Sequence, residues 1–245
     1  MPETPNRRGA MLLVAHPNDQ SLNHAIAAEA AKAVRSAGVE LSFHDLYAEH
    51  FEAVLSKEDM LRRFSFDPDV QQYAAELKRT ALLIVVHPDW WGQPPAVLKG
   101  WLDRVLRPGV AYDFRGPEFL EKEHVPLLTG MRAVVFATSD QQRPGADAAP
   151  ALEQMWSNHV FDYCGIAPYE LRVFYDVRNS SRRTRKRWLR TVGEIAARYA
   201  VGDDPADEPN RAGGGPASGG GPASGGGAAS GGGPASGGGP SRNMR

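Results

Sequence analysis

The chain has 245 residues, 42% of them hydrophobic and 23% charged, with a formal net charge of −1. So even a balance calls for neither a nucleic-acid nor an acidic partner. A single cysteine, Cys164, excludes an internal disulfide framework and fits a reducing cytoplasm. No apolar run approaches the length of a membrane span and no signal-peptide core follows the short polar start, so a cytoplasmic protein with no stable membrane insertion is expected.

Residues 11–15, MLLVA, form an apolar run of strand length and read as a first buried strand. A polar loop, HPNDQSLN, follows. Leu22, Ile26, Ala30, Ala33, Val34 and Ala37 then recur at helical spacing, and Gly38 is a fitting stop. Residues 39–44 alternate well enough for a second strand near an edge. A loop with a short helical piece at 56–63 leads to a modest helix at 70–79. Residues 81–86, ALLIVV, suit a fully buried parallel strand that the next prolines end. Pro94 and Pro95 suit the first turn of a helix whose Val97, Leu98, Trp101, Leu102, Val105 and Leu106 bury one face.

After a charged excursion to residue 129, a fourth strand is expected at 131–136 with a terminal loop at 137–140. A helix at 148–163, a fifth strand at 170–175 and a closing helix at 181–200 complete the pattern. Alternating strands and helices argue an α/β, doubly wound five-stranded parallel sheet of order 2-1-3-4-5, with a ligand at the switch between strands one and three. The domain is placed at residues 10–200. Residues 201–245, acidic and proline-rich and then repeating GGGPAS, have no apolar face to bury and read as a disordered, linker-like tail.

Two stretches have the makings of a site on their residues alone. The loop HPDWWGQ puts Trp90 and Trp91 at the carboxyl end of a buried strand, where a flat aromatic cofactor would find a wall; the plainer reading is that both cap the core. The first loop precedes a helix, so its backbone amides and dipole favour an anion such as phosphate. His16 stands at the strand end, and Ser21 and Asn23 can add side-chain hydrogen bonds. Simple helix capping by Ser21 explains the same residues. No Gly-x-Gly-x-x-Gly and no Walker lysine occurs here, which removes two nucleotide motifs. His87 and Asp89 lack further ligands at metal spacing, so no metal is expected. The basic run 182–187 opens a helix with a buried stripe, and a solvated face is the preferred reading over nucleic acid.

The run HPDWWGQPPAVLKGW resembles the NAD(P)H:quinone oxidoreductase family of flavodoxin-like flavoproteins, whose Pro-x-x-Trp-x-x-x-Pro-Ala-x-Leu-Lys-Gly-Trp segment lies beside the flavin. Here it spans Pro88 to Trp101. The spacing of His16, Ser21, Leu22 and Asn23 and the run Asp45-Leu46-Tyr47 also resemble that family. The resemblance implies FAD, with FMN as the alternative, as cofactor and NAD(P)H as co-substrate. It also implies a homodimer and ping-pong transfer of a hydride to flavin N5 and then two electrons to a quinone. Cofactor contacts are implied for His16, Ser21, Leu22, Asn23, Pro88, Asp89, Trp90, Trp91, Gly92, Thr138, Ser139 and Asp140. Tyr112 and Phe114, with Trp91, are implied to line the acceptor pocket, the first two from the other subunit.

Mammalian members have two threonines and two glycines at 137–140, followed by a tyrosine and a histidine proposed to assist hydride transfer. This chain has Ser139 and Asp140, then QQRPG, so no catalytic residue is carried over. Electron-carrier flavodoxins are strongly acidic and this chain is not. The alternative is a flavodoxin-like ancillary subunit of a potassium-efflux system. A phospho-receiver is rejected because His16-Pro17 stands where its acidic pair belongs.

Overall fold

The computed structural model describes residues 7–62, 64–117, 122–145 and 150–202. Chain contacts separate Met1–Glu208 from Pro209–Arg245, and this second unit lies outside the described residues. So do all residues of the expected tail beyond Gly202, the first two of the helix expected from 148, and 118–121 of the charged excursion.

Five parallel strands make the central sheet: β1 (Ala10–Val14), β2 (Leu41–Asp45), β3 (Leu82–Pro88), β6 (Arg132–Thr138) and β7 (Tyr169–Phe174), in the order β2-β1-β3-β6-β7. This is the expected 2-1-3-4-5 arrangement. All five residues of β1 and all seven of β3 are buried, as strands covered on both faces must be. On one face lie α1 (Leu22–Ser36) and α7 (Arg182–Val201), around a core that includes Ile26, Val34, Val192 and Ile195. On the other lie α3 (Pro68–Arg79), α4 (Ala96–Val105) and the segment 151–164, around Trp101, Trp156 and Phe161. Serine hydroxyls cap both α1 and α7: Ser21 accepts from the His24 amide and Ser181 from the Thr184 amide. α7 runs to Val201, one residue past the expected end of the closing helix.

The structure departs from the sequence reading in several places. β3 continues through His87 and Pro88, which pair with Ala137 and Thr138 of β6. Pro88 is tolerated because β1 has ended beside Val86: the Ala15 amide bonds the Val86 carbonyl, the Asp89 amide faces β6, and the missing N–H of Pro88 falls on the vacated side. Pro95 is the N-cap of α4 rather than part of its first turn. The excursion after α4 contains an antiparallel hairpin, β4 (Tyr112–Arg115) with β5 (Glu123–Pro126). The expected helix at 148–163 is α5 (Ala151–Gln154), a π-helical stretch (Met155–Phe161) and α6 (Asp162–Cys164). That stretch brings Trp156 and Phe161 to the core, stacked with ring centroids 5.5 Å apart.

The long β2–α3 connection, with α2 (Lys57–Met60) inside it, is strapped over α4. Buried Arg104 reaches the Glu52 carbonyl (2.6 Å), Asp59 (3.2 Å) and Asp67 (2.7 Å), while Arg107 bonds the carbonyls of Asp59 and Arg62. The strap leaves Val54, Leu55, Met60, Leu61, Phe64 and Phe66 exposed. It crosses α4 at Gly100, where a Cβ would stand 2.2 Å from the Ala53 carbonyl oxygen and 2.5 Å from its Cα. Both obstacles are backbone and cannot rotate aside. Gly100→Ala is therefore expected to destabilise by about 1–3 kcal/mol despite the better helix propensity of alanine; a urea midpoint equal to or above wild type would disprove the close crossing.

Candidate functional site

The two sides of the winding part between β1 and β3, and the loops at the carboxyl ends of β1, β3 and β6 converge there. The loop after β3 is a tight reversal: the Trp90 amide bonds the Gln93 carbonyl (2.9 Å) and the Gln93 amide the Trp90 carbonyl (3.1 Å). Its two central residues both have positive φ, Trp91 at 61° and Gly92 at 75°. That pairing is normally met by asparagine or aspartate followed by glycine; a tryptophan in the left-handed region is strained. The strained side chain is not buried in return. Trp91 is 98% exposed and Trp90 41% exposed, so neither caps the core.

Asp89 anchors this turn. Its Oδ1 accepts the Gly92 amide (2.9 Å), its Oδ2 accepts the Ser139 hydroxyl (3.1 Å), and its own amide bonds the Thr138 carbonyl (2.7 Å). The Ser139 hydroxyl accepts the Gln141 amide as well, and the Ser139 amide is taken by Phe174. Thr138 and Asn23, both buried, exchange hydrogen bonds at 3.0 and 3.3 Å, which ties α1 to the end of β6. Asp140 holds the Arg178 amide and guanidinium. Of the expected site residues, Asn23, Asp89, Thr138, Ser139 and Asp140 thus have side chains engaged inside the protein. Ala137 and Thr138 belong to β6, leaving a shorter loop than expected.

In the first loop the His16 Nδ1 accepts the Asn18 amide (3.0 Å), and its ring lies 6.2 Å from that of Trp90. Burial lowers the His16 pKa, so at neutral pH it is a neutral donor rather than a cationic clamp. The Ser21 hydroxyl meets the His24 Nδ1 at 3.0 Å, and the His24 Nε2 meets Asp45 at 2.8 Å. What this end of α1 offers an anion is therefore mainly the amides of Leu22 and Asn23, the first in a 15-residue helix with no intrahelical acceptor. His24 was not singled out from the sequence; its pairing with Asp45 depends on β2 lying beside β1.

Tyr112 and Phe114 lie on the β4–β5 hairpin in a ring cluster with His124 and Tyr163, and Phe114 is 43% exposed. No ring contact joins this cluster to Trp90 or Trp91 among the described residues. No group of three metal-ligating side chains occurs among those residues either.

The arrangement suits a planar, anionic cofactor: uncovered indole faces beside backbone donors at a helix N-terminus. A family profile described as flavodoxin-like fold matches residues 10–194. The chain belongs to the flavodoxin-like family. This flavodoxin-like chain is 32% identical over 195 residues to an uncharacterized NAD(P)H oxidoreductase of Haemophilus influenzae, covering 76% of this chain and 91% of that protein. It is 26% identical to NAD(P)H dehydrogenase [quinone] 1 of Rattus norvegicus, covering 78% and 80%. A crystal structure of an FMN-dependent NADH-azoreductase from Bacillus anthracis, in complex with FMN, superposes with a TM-score of 0.63 at 15% identity, covering 78% and 99%.

His87 lies beneath the flavodoxin-like site without facing it. It is fully buried, accepts the Trp156 indole N–H at Nε2 (3.0 Å) and donates from Nδ1 to the Pro88 carbonyl (2.8 Å). Burial lowers its pKa to about 4, against an ordinary value of 6.5. Protonation favours the unfolded chain, so this contribution is intact above pH 6.5 and is lost as the pH falls toward and through 4. Wild type is expected to lose about 3 kcal/mol by pH 4 through this group. Urea midpoints measured across that window should fall less steeply for His87→Gln, and parallel acid limbs would refute the assignment.

Proposed function

We propose that this protein is a flavin-dependent NAD(P)H:quinone oxidoreductase acting as a homodimer. The observation that carries the reading is Trp91, held in a strained backbone conformation and almost wholly uncovered at the switch point. Strain at such a position signals function. The names of the Haemophilus influenzae and Rattus norvegicus relatives, both oxidoreductases, favour an enzyme over a transport subunit.

Trp90 and Trp91 would flank the isoalloxazine, with Pro88, Asp89 and Gly92 shaping the turn that presents them. The Leu22 and Asn23 amides, with His16 and Ser21, would receive the phosphate. Thr138, Ser139 and Asp140 would set the far edge by holding the β3 and β7 loops in place. When bound, the flavin supplies the redox chemistry, accepting a hydride from NAD(P)H and delivering two electrons to a flat acceptor in a separate half-reaction. The chain's own part is to bind, orient and exclude water, and no protein acid or base is assigned to the hydride transfer. The quinone-reductase likeness favours FAD, while the azoreductase neighbour holds FMN.

The exposed apolar strap and the exposed Phe114 favour a second copy as their cover, because scattered apolar side chains are ordinary but a run of this size marks an interface. In the dimer, Tyr112 and Phe114 of one subunit would close the acceptor pocket of the other. The buried free thiol of Cys164, its pKa raised to about 12, is consistent with a reducing cytoplasm.

Reconstituted protein is expected to show a flavin absorption band that bleaches with NAD(P)H without oxygen and returns with a quinone. The chromophore it releases distinguishes FAD from FMN, and sedimentation is expected to give twice the chain mass. Protein that stays colourless with either flavin would end this reading. Trp91→Asn separates function from stability. Asparagine tolerates the turn, so the variant should be more stable by about 1 kcal/mol while binding flavin more weakly. Unchanged flavin affinity by fluorescence titration would remove Trp91 from the site.

A further inference from the structure

The outward face of α7 carries charge that the fold does not use. Val192, Ile195, Ala196 and Tyr199 are buried, while Arg183, Lys186, Arg187 and Arg190 recur at helical spacing on the opposite face. A groove of about 390 Å³ runs among them, lined otherwise only by Thr184. Among the described residues, the side chains of Arg182, Arg183, Lys186 and Arg187 form no hydrogen bond or ion pair, and that of Arg190 has a single long contact, 3.8 Å to Glu194. Arg185, by contrast, folds back onto Ser180 and the Val177 carbonyl.

This placement opposes helix stability twice over. The first turn of α7 contains cations and no acidic residue, at the end where the helix dipole is itself positive. The pairs Arg182/Lys186, Arg183/Arg187 and Lys186/Arg190 set like charges four residues apart. In a chain with a net charge of −1 this is segregation, not general basicity.

We propose that this face docks onto an anionic lipid headgroup layer. A lipid surface fits better than nucleic acid. α7 lies packed alongside α1 rather than projecting to enter a groove, and the face has no exposed aromatic ring on which bases would stack. The basic end of α7 also adjoins the site: Arg185 bonds the Val177 carbonyl, and the Val177 amide bonds the Ser139 carbonyl. Docking would bring the Trp90–Trp91 turn near the interface, where tryptophan is favoured. A flat apolar quinone is drawn from that phase; this last step rests on the proposed function, and the docking itself does not.

The full chain is to be sedimented with vesicles of phosphatidylcholine, alone and mixed with phosphatidylglycerol. Binding is expected for the mixed vesicles only and should weaken as salt is added. Each basic residue near an anionic surface strengthens partitioning about fivefold. The combined Arg183→Glu, Lys186→Glu, Arg187→Glu and Arg190→Glu variant should therefore lose more than about a hundredfold, with an unchanged circular dichroism spectrum because all four side chains are exposed. Absence of binding, equal binding to neutral vesicles, or retention by nucleic acid without vesicle binding would each overturn the proposal. A colourless protein that still binds mixed vesicles would defeat the flavin reading and leave this one standing.

Discussion

The Asp89 carboxylate is the constraint on which the candidate site depends. One oxygen holds the Gly92 amide and so closes the turn after β3; the other holds the Ser139 hydroxyl at the end of β6. Hydrogen bonds to a charged acceptor are stronger than neutral ones, and here two loops share the same acceptor. Through Ser139 the connection extends to β7, because the Ser139 amide bonds Phe174 and its carbonyl takes the Val177 amide. Through Thr138 and Asn23 it reaches α1. The loops at the sheet's carboxyl end are thereby coupled by side chains, although each belongs to a different βα unit.

This coupling explains why the sequence was informative about the fold and less so about individual roles. β1, β3, β6 and the buried faces of α1 and α4 were readable because apolar runs and helical spacing are local signals that burial enforces. Asn23 sits in the same local pattern as Ser21, yet its side chain is turned to Thr138, 115 positions away in the chain. Nothing in the loop's own residues encodes that choice. The extension of β3 through Pro88 was hidden for a similar reason: whether a proline ends a strand depends on which neighbour its missing amide would have faced. The hairpin and the π-helical stretch depend likewise on partners distant in sequence.

Several side chains expected at the site are thus hydrogen-bonded within the protein, and under the proposed function backbone amides and indole faces would supply most of the ligand contacts. That is a coherent division of labour. Buried Thr138, Ser139 and Asn23 would be costly to desolvate without partners, and they find those partners in one another and in Asp89. Amides at the start of α1 have no intrahelical acceptor whatever the sequence, so they stay available without further design. The same reasoning sets α7 apart. In its first turns the side chains of Arg182, Arg183, Lys186 and Arg187 find no internal partner among the described residues, and the dipole at that end reinforces their field instead of offsetting it.

The Trp91 turn joins these threads energetically. A bulky residue in the left-handed region costs about 1–3 kcal/mol, and the Asp89 and Gln93 hydrogen bonds keep the conformation in place without removing that cost. Burial does not offset it in the free protein, since the indole is 98% exposed. Covering one face of an indole removes about 100 Å² of apolar surface from water, worth about 2.5 kcal/mol. The strain stored in the turn and the gain from a planar molecule stacking on it are thus of the same size. Asparagine would have made the turn without strain; under the proposed function tryptophan stands there to present a ring, and a planar molecule stacking on it would offset the strain that the backbone keeps.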